Sequence, residues 1–345
     1  MTRTARKGLS PPDTSELKLH LESRLGKHFG KRRSIVRLDR RLCPYTSSFR
    51  IDELDVWFED GSEARLVLKD LSPEAMLEAA RRVRPAFLYE PCREIQAYRW
   101  ILPHGPQGTA TWYGAVTDQN VGRYWLFLER IDGLELRHVG AFSAWERTAR
   151  WIAQFHRSFP AARVRQLAQH SKFLVHDREF YWRWLERAQR FVAKDRTTQR
   201  LLDRIARRYA PVVERLTSLP KTLIHGEFYA SNVLIDRHAG KLRVCPVDWE
   251  MAALAPGLTD LASLTAGWSE KHQRDLTRAY WTATAEGAGA AKGRRLPHAF
   301  LVDLDCCRLH LAVRMLGWSE SWSPPPQHTH NWLVDAVRVA ERLRL

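Results

Sequence analysis

The spacing of apolar residues changes character along the chain, and the change divides it. Residues 14–27 read as one helix, with Asp13 or Ser15 as its cap. Residues 34–39, 48–58 and 63–68 then carry Ile, Val, Leu, Trp and Phe partly in alternation, and Asp60-Gly61-Ser62 supplies a tight turn between the last two. That pattern predicts an antiparallel meander. Ser72-Pro73-Glu74 opens a helical stretch, 89–102 reads as a second helix, and 111–117 with 122–130 returns to strand. After Asp132-Gly133 the helical period takes over, at 144–159, 178–192 and 198–216. A strand-like island interrupts it at 222–224, 233–235 and 242–247, the last two joined by a hairpin loop over 236–240. Helix resumes at Asp260 and runs to the end, broken at 287–293 and 323–326.

These elements predict an α+β protein in three parts: a basic tail and helix over 1–33, a small lobe with an antiparallel sheet over 34–132, and a larger, mainly helical lobe over 133–345. With 345 residues, 44% of them hydrophobic, each lobe can bury a core of its own.

Charge changes this picture little. Lys plus Arg number 55 against 39 Asp plus Glu, a net +16 that invites a nucleic-acid partner. The excess lies in short clusters at 3–7, 31–33, 81–84 and 204–208, without an aromatic-spaced ribbon or a zinc-finger spacing. Solvated faces and phosphate-bearing small ligands account for it better than nucleic acid. The five cysteines, Cys43, Cys92, Cys245, Cys306 and Cys307, form no CxxC, so neither a disulfide framework nor a zinc site is expected, and a cytoplasmic setting fits. Cys306-Cys307 read as buried small apolar residues. The polar, basic N-terminus and the lack of 18 uninterrupted apolar residues support neither export nor a membrane partner.

The chemistry concentrates in Leu223-Ile224-His225-Gly226-Glu227-Phe228-Tyr229-Ala230-Ser231-Asn232-Val233-Leu234-Ile235, followed by Cys245-Pro246-Val247-Asp248-Trp249-Glu250. A hairpin sets the start of one strand beside the end of its partner, so Asn232 and Asp248 can converge on one hard cation. Glu227, five residues before Asn232, can bring a carboxylate to the same place. A base, an amide ligand and a carboxylate ligand around Mg²⁺ or Mn²⁺ are what kinase-type phosphoryl transfer requires. No GxSxG elbow, HExxH or GxxxxGK[ST] loop competes, and His328-Thr329-His330 reads as a solvated loop.

This segment resembles the catalytic loop and metal-binding strand of the aminoglycoside phosphotransferase and choline kinase-like family, relatives of protein kinases, which reads His-Gly-Asp, four residues, Asn, and later Asp in an Ile/Val-Asp-Trp/Phe-Glu setting. The resemblance implies a two-lobed protein-kinase-like fold. It gives Glu227 the place of the catalytic Asp, makes Asn232 and Asp248 metal ligands, His225 an organiser of the catalytic loop, and Asp260 a brace. Upstream, Lys69 at the end of the third strand and Glu94 on the next helical run follow the order of the phosphate-binding Lys and its Glu partner, although Glu78 and Glu90 compete for that role. The run 125–133 resembles the hinge whose backbone holds the nucleotide base, which points to Glu129 and Ile131. The co-substrate implied is ATP or GTP.

Two departures stand out. Glu227 replaces Asp, moving the carboxylate by about an ångström, a displacement that can cost on the order of a hundredfold in rate. A catalytically silent nucleotide-binding protein is therefore one alternative. No glycine lies between Gly30 and Gly61 to form a glycine-rich phosphate loop; small-molecule kinases of the family that the chain resembles often have a Ser- or Asn-bearing turn there, and the resemblance implies Ser47 and Ser48 in the turn at 44–49 as phosphate donors. The acceptor expected is a hydroxyl of a small molecule such as a sugar, an amino alcohol or an antibiotic-like metabolite, with a peptide Ser/Thr as the other alternative. Asp303 and Asp305 beside Arg308, His310 and Arg314 make a mixed wall, not a trap for a polycation, and Trp268, Trp318 and Trp322 could stack on rings.

Overall fold

Asp13 accepts hydrogen bonds from the amides of Ser15 and Glu16 and so starts α1 (Thr14–Phe29). The computed structural model describes residues 13–169, 171–192, 196–238, 240–285, 295–318 and 330–345. Five strands follow the alternating apolar pattern: β1 (Ile35–Leu42), β2 (Arg50–Phe58), β3 (Glu63–Asp70), β4 (Trp112–Asp118) and β5 (Arg123–Glu129), all antiparallel, in the order β1-β2-β3-β5-β4. Leu17, Leu21 and Leu25, one helical turn apart, pack with Leu54, Val56, Phe58, Leu66, Leu68, Val116, Trp125 and Phe127 into one buried cluster. Because side chains alternate across a strand, Leu66 and Leu68 in this cluster turn Lys69 to the opposite face of the sheet.

Between β3 and β4 lie α2 (Glu78–Val83) and α3 (Cys92–Gln96). The single helix expected over 89–102 is instead α3, a π turn (Ala97–Ile101) and a 3-10 turn (Leu102–His104). Pro91 stands just before α3, and Pro103 enters the 3-10 turn at its first positions, where its missing N–H costs nothing.

The chain divides into two units, one of residues 1–82, 90–99 and 110–132, the other of 83–89, 100–109 and 133–345. The sequence reading drew one boundary between 132 and 133, and two short segments before it, 83–89 and 100–109, also fall in the second unit.

The second unit is mostly helical: α4 (Phe142–Ser158), α5 (Ala161–Leu167), α6 (Arg178–Val192), α7 (Arg196–Ala206), α8 (Ala210–Ser218), α9 (Leu258–Thr265), α10 (Glu270–Ala285), α11 (His298–Leu316) and α12 (Trp332–Arg342). The helix predicted over 198–216 is two, because Pro211 in the first turn of α8 cannot continue the hydrogen bonds of α7. Two small sheets sit among them. One has the order β10-β9-β6, from β6 (Leu134–Glu135), β9 (Val233–His238) and β10 (Lys241–Pro246). The other has the order β7-β11-β8, from β7 (Leu174–Val175), β8 (Lys221–Ile224) and β11 (Ala253–Pro256). β6 and β7 escaped the sequence reading because two residues display no period, and β11 because Ala253–Pro256 carries no β-branched or aromatic residue to mark it as the Thr and Ile of β8 do. All five cysteines are free, Cys306 and Cys307 among the buried ones. Among the described residues no helix is long and apolar enough to cross a membrane.

Candidate active site

In the first unit, Lys69 Nζ lies 2.5 Å from Glu94 Oε2, the two side chains 8% and 1% exposed. Neither Glu78 nor Glu90 takes this place: Glu78 pairs with Arg82 on the surface, and Glu90 Oε1 accepts from the amide of Cys92 at 3.2 Å. Ser47 is exposed and Ser48 half-buried, in a turn closed by Thr46 Oγ1 donating to Cys43 O at 2.8 Å. The carbonyl of Ser48 accepts from Leu77 N at 2.9 Å. At the end of β5, Glu129 Oε2 accepts from Thr111 N and Oγ1 at 2.9 and 2.8 Å, so its carboxylate anchors the start of β4. Ile131, two residues on, is half-buried.

In the second unit a loop leaves β8 at His225. Asp260, wholly buried near the start of α9, accepts from His225 N at 2.7 Å and from Gly226 N at 2.9 Å, and His156 Nε2 lies 3.1 Å from the same carboxylate. His156 Nδ1 faces the Tyr280 hydroxyl at 2.9 Å. Gly226 has φ +87, and a Cβ there would stand 2.2 Å from Met251 O, so only glycine passes. His225 Nε2 donates to Val247 O at 2.8 Å, a tautomer that leaves Nδ1 to accept from Glu227 N at 3.4 Å. The imidazole therefore ties the loop to the end of β10.

Asn232 Nδ2 donates to Glu227 O at 3.0 Å, which leaves Oδ1 as the end able to bind a cation. The β9–β10 register pairs Val233 with Pro246, and Val247 N donates to Asn232 O at 2.9 Å, so Asn232 and Asp248 emerge at the same end of the hairpin. Asp248 has φ 69 and ψ 61, a left-handed conformation that costs roughly 1–2 kcal/mol for a residue with a Cβ. Strain of this kind concentrates at functional sites.

Glu227 is 16% exposed, and burial pushes its carboxyl up to about 7. The cations of Arg314 and Arg84 pull against that rise, while Glu250 and Asp248 add to it. Arg314, 2% exposed on α11, donates from Nη1 to Gly226 O at 2.8 Å and from Nη2 to the Tyr229 hydroxyl at 3.1 Å, with Nη2 3.5 Å from Glu227 Oε1. Arg84 Nη1 meets Glu250 Oε2 at 2.8 Å, with both side chains buried.

Several expected acceptor contacts are placed elsewhere. Asp303 pairs with Arg215, Asp305 with Arg308 and Arg342, and His310 is buried against Tyr209, so the mixed wall is internal cross-bracing. Trp268 packs edge-on against Trp145, and Trp318 stacks on Trp184 with centroids 5.8 Å apart. His330 Nε2 lies 2.6 Å from Asp335 Oδ2, whereas Trp322, His328 and Thr329 lie outside the described residues. The sequence reading took Arg84 only as part of the basic cluster at 81–84 and Arg314 only as part of the wall. A signal for Arg314 existed: an arginine between Leu309-His310-Leu311-Ala312-Val313 and Met315-Leu316 is a charge on a buried helix, which demands a partner.

The sequence model of the phosphotransferase enzyme family matches residues 50–296. No curated protein matches the chain by sequence. Among solved structures, the chain is similar to a GDP complex of aminoglycoside 2′-phosphotransferase-IIIa, with TM-score 0.56, 13% identity, and 95% of this chain and 97% of that one covered. A microcompartment-associated aminopropanol kinase gives TM-score 0.55 at 15% identity, over 88% of this chain and 90% of that one. An ethanolamine kinase from Plasmodium vivax gives TM-score 0.52 at 11% identity, over 89% and 82% respectively. At such identities the likeness is one of fold.

Proposed function

The chain belongs to the phosphotransferase enzyme family, and from that premise we propose that it transfers the γ-phosphate of ATP or GTP to a hydroxyl of a small molecule, with Glu227 as the general base. The observation that supports this reading is the approach of Glu227, Asn232 and the strained Asp248 to one end of a hairpin, in and after a preceding loop that Asp260 clamps at His225 and Gly226. Similar folds hold GDP and, by their names, act on aminoglycosides or aminopropanol.

Lys69, locked by Glu94, supplies a point charge suited to the α- and β-phosphates. Ser47 and Ser48 are our choice for further phosphate donors, and the backbone near Glu129 and Ile131 for the base. Asn232 and Asp248 are hard oxygen donors, and two protein ligands suit Mg²⁺, which keeps waters and phosphate oxygens for its remaining positions. When bound, such an ion neutralises charge building on the phosphates.

Glu227 orients the acceptor hydroxyl and takes its proton. The charges around it, Arg314 and Arg84 against Glu250 and Asp248, balance each other and so add no acidic wall of the kind that would trap a polycationic acceptor. We therefore favour a neutral or anionic hydroxyl compound over an aminoglycoside. The test is a mass-resolved screen of metabolite pools incubated with enzyme, MgATP or MgGTP. A phosphate-sized gain on a neutral or acidic alcohol is expected, and a gain confined to aminoglycosides would defeat the choice of acceptor.

A further inference from the structure

Arg314 is an arginine almost wholly enclosed by protein, and its three nearest partners all belong to the catalytic loop. Nη1 is held by Gly226 O at 2.8 Å and Nη2 by the Tyr229 hydroxyl at 3.1 Å, so the plane of the guanidinium is fixed on both sides of Glu227. Among the described residues, the carboxylate within ion-pair distance of it is that of Glu227, at 3.5 Å. Removing a buried cation from water costs several kcal/mol unless an anion compensates it. Neither His310 nor Trp318 does so: His310, one turn earlier on α11, is kept uncharged by burial and by this cation, and the Trp318 ring, just past the end of that helix and 6.0 Å away, offers only its π face.

The length of the contact matters as much as its presence. At 3.5 Å the Arg314–Glu227 approach is at the outer limit of a hydrogen bond, so it attracts the carboxylate without tying up its lone pairs in a tight bidentate bond. A carboxylate drawn back in this way stays able to accept a proton. Glutamate also has one more rotatable bond than aspartate, and a fixed cation behind it limits where the extra methylene can carry the oxygens.

We propose that Arg314 is a positioning residue for the catalytic carboxylate, holding the loop backbone at Gly226 and the Glu227 side chain together, so that a glutamate can do the work its relatives give to an aspartate. The proposal rests on the reading of Glu227 as base. It gives the fold a part played by α11, which the loop motif does not contain.

The test uses the full chain and metal-dependent hydrolysis of ATP or GTP, which needs no identified acceptor. Arg314→Ala is expected to lower kcat on the order of a hundredfold while the nucleotide KM stays within about twofold. Millimolar methylguanidinium should restore part of that loss in Arg314→Ala and do nothing for wild type or Glu227→Gln. Adding Arg314→Ala to Glu227→Gln should cost little more, since both act on one group. Arg314→Lys keeps the buried charge should the alanine variant fail to fold, yet one ammonium cannot serve Gly226 O and Glu227 together, so kcat should still fall. Wild-type kcat in the arginine variants beside a slow Glu227→Gln overturns the proposal alone. Fully additive losses without rescue do the same. A Glu227→Gln variant as fast as wild type removes the reading of Glu227, and this proposal with it.

Discussion

Lys69 and Glu94 are 25 residues apart in sequence, yet Nζ and Oε2 meet at 2.5 Å where almost no water reaches them. Taking away one partner of a buried ion pair costs roughly 3–5 kcal/mol, because the other charge loses the ion that compensated its desolvation. Glu94→Gln should therefore lower the urea midpoint and raise the nucleotide KM together. Lys69→Met combined with Glu94→Leu should recover stability but not nucleotide binding. Wild-type nucleotide kinetics in Lys69→Met would remove this lysine from the phosphate site.

Asp248 provides a case in which stability and activity separate. Its backbone lies at φ 69, so Asp248→Gly relieves strain of about 1 kcal/mol and should raise the melting temperature slightly. The same variant loses the carboxylate, and calorimetric titration should no longer find nucleotide binding tightened by Mg²⁺ or Mn²⁺. If metal-nucleotide still binds as tightly as to wild type, the ligand lies elsewhere.

Glu227→Gln keeps shape and polarity but no longer accepts a proton, and turnover is expected to fall by roughly a hundred- to ten-thousandfold. Nucleotide affinity should barely change. Burial pushes the wild-type carboxyl up to about 7, so kcat should rise with pH through a midpoint near that value, lower with the metal bound, and level off above it. Glu227→Asp should be slower than wild type, because Arg314 is placed for the longer side chain. A gain of activity in Glu227→Asp would instead indicate a site that had lost its catalytic residue.

A layer of uncharged histidines makes stability depend on pH. Burial lowers His310 from 6.5 to about 3, and His176, stacked on Phe180 with ring centroids 3.9 Å apart, is lowered as well. The unfolded chain binds protons at both near 6.5 and the folded one does not, so their contribution is complete above that pH and is lost as pH falls below it. Each histidine contributes a slope approaching about 1.4 kcal/mol per pH unit. Glu227, raised on folding from 4.5 to about 7, contributes one opposite slope between those values. Urea midpoints measured from pH 8 to 5 should fall, and His310→Gln should flatten the curve. A midpoint rising over that range would contradict the assignment.

The strands and helices that were legible had length and period on their side. The five long strands of the first sheet and the helix at 178–192 needed only alternation or helical spacing, whereas Pro211 and the π turn at 97–101 divided what looked continuous. Among the candidate residues, His225, Glu227, Asn232 and Asp248 stood out because one loop and one hairpin carry them all, and geometry over such short separations follows from spacing. The choice of Glu94 over Glu78 and Glu90 did not, since it depended on which carboxylate the turn after β3 buries beside Lys69.

The sequence by itself thus determined the set of groups from which the chemistry is proposed: a carboxylate, an amide and a second carboxylate spaced along one loop and hairpin, with a lysine on a strand before them. Only the tertiary structure decided what surrounds that carboxylate. Arg314 lies 87 residues from Glu227, and Asp260, 35 residues from His225, was named as a brace by the family resemblance and not by any local pattern. No local pattern specifies such pairs, because a buried charge takes its partner from whichever helix packs against it, and the packing of α11 and α9 against the loop is settled only when the whole core forms.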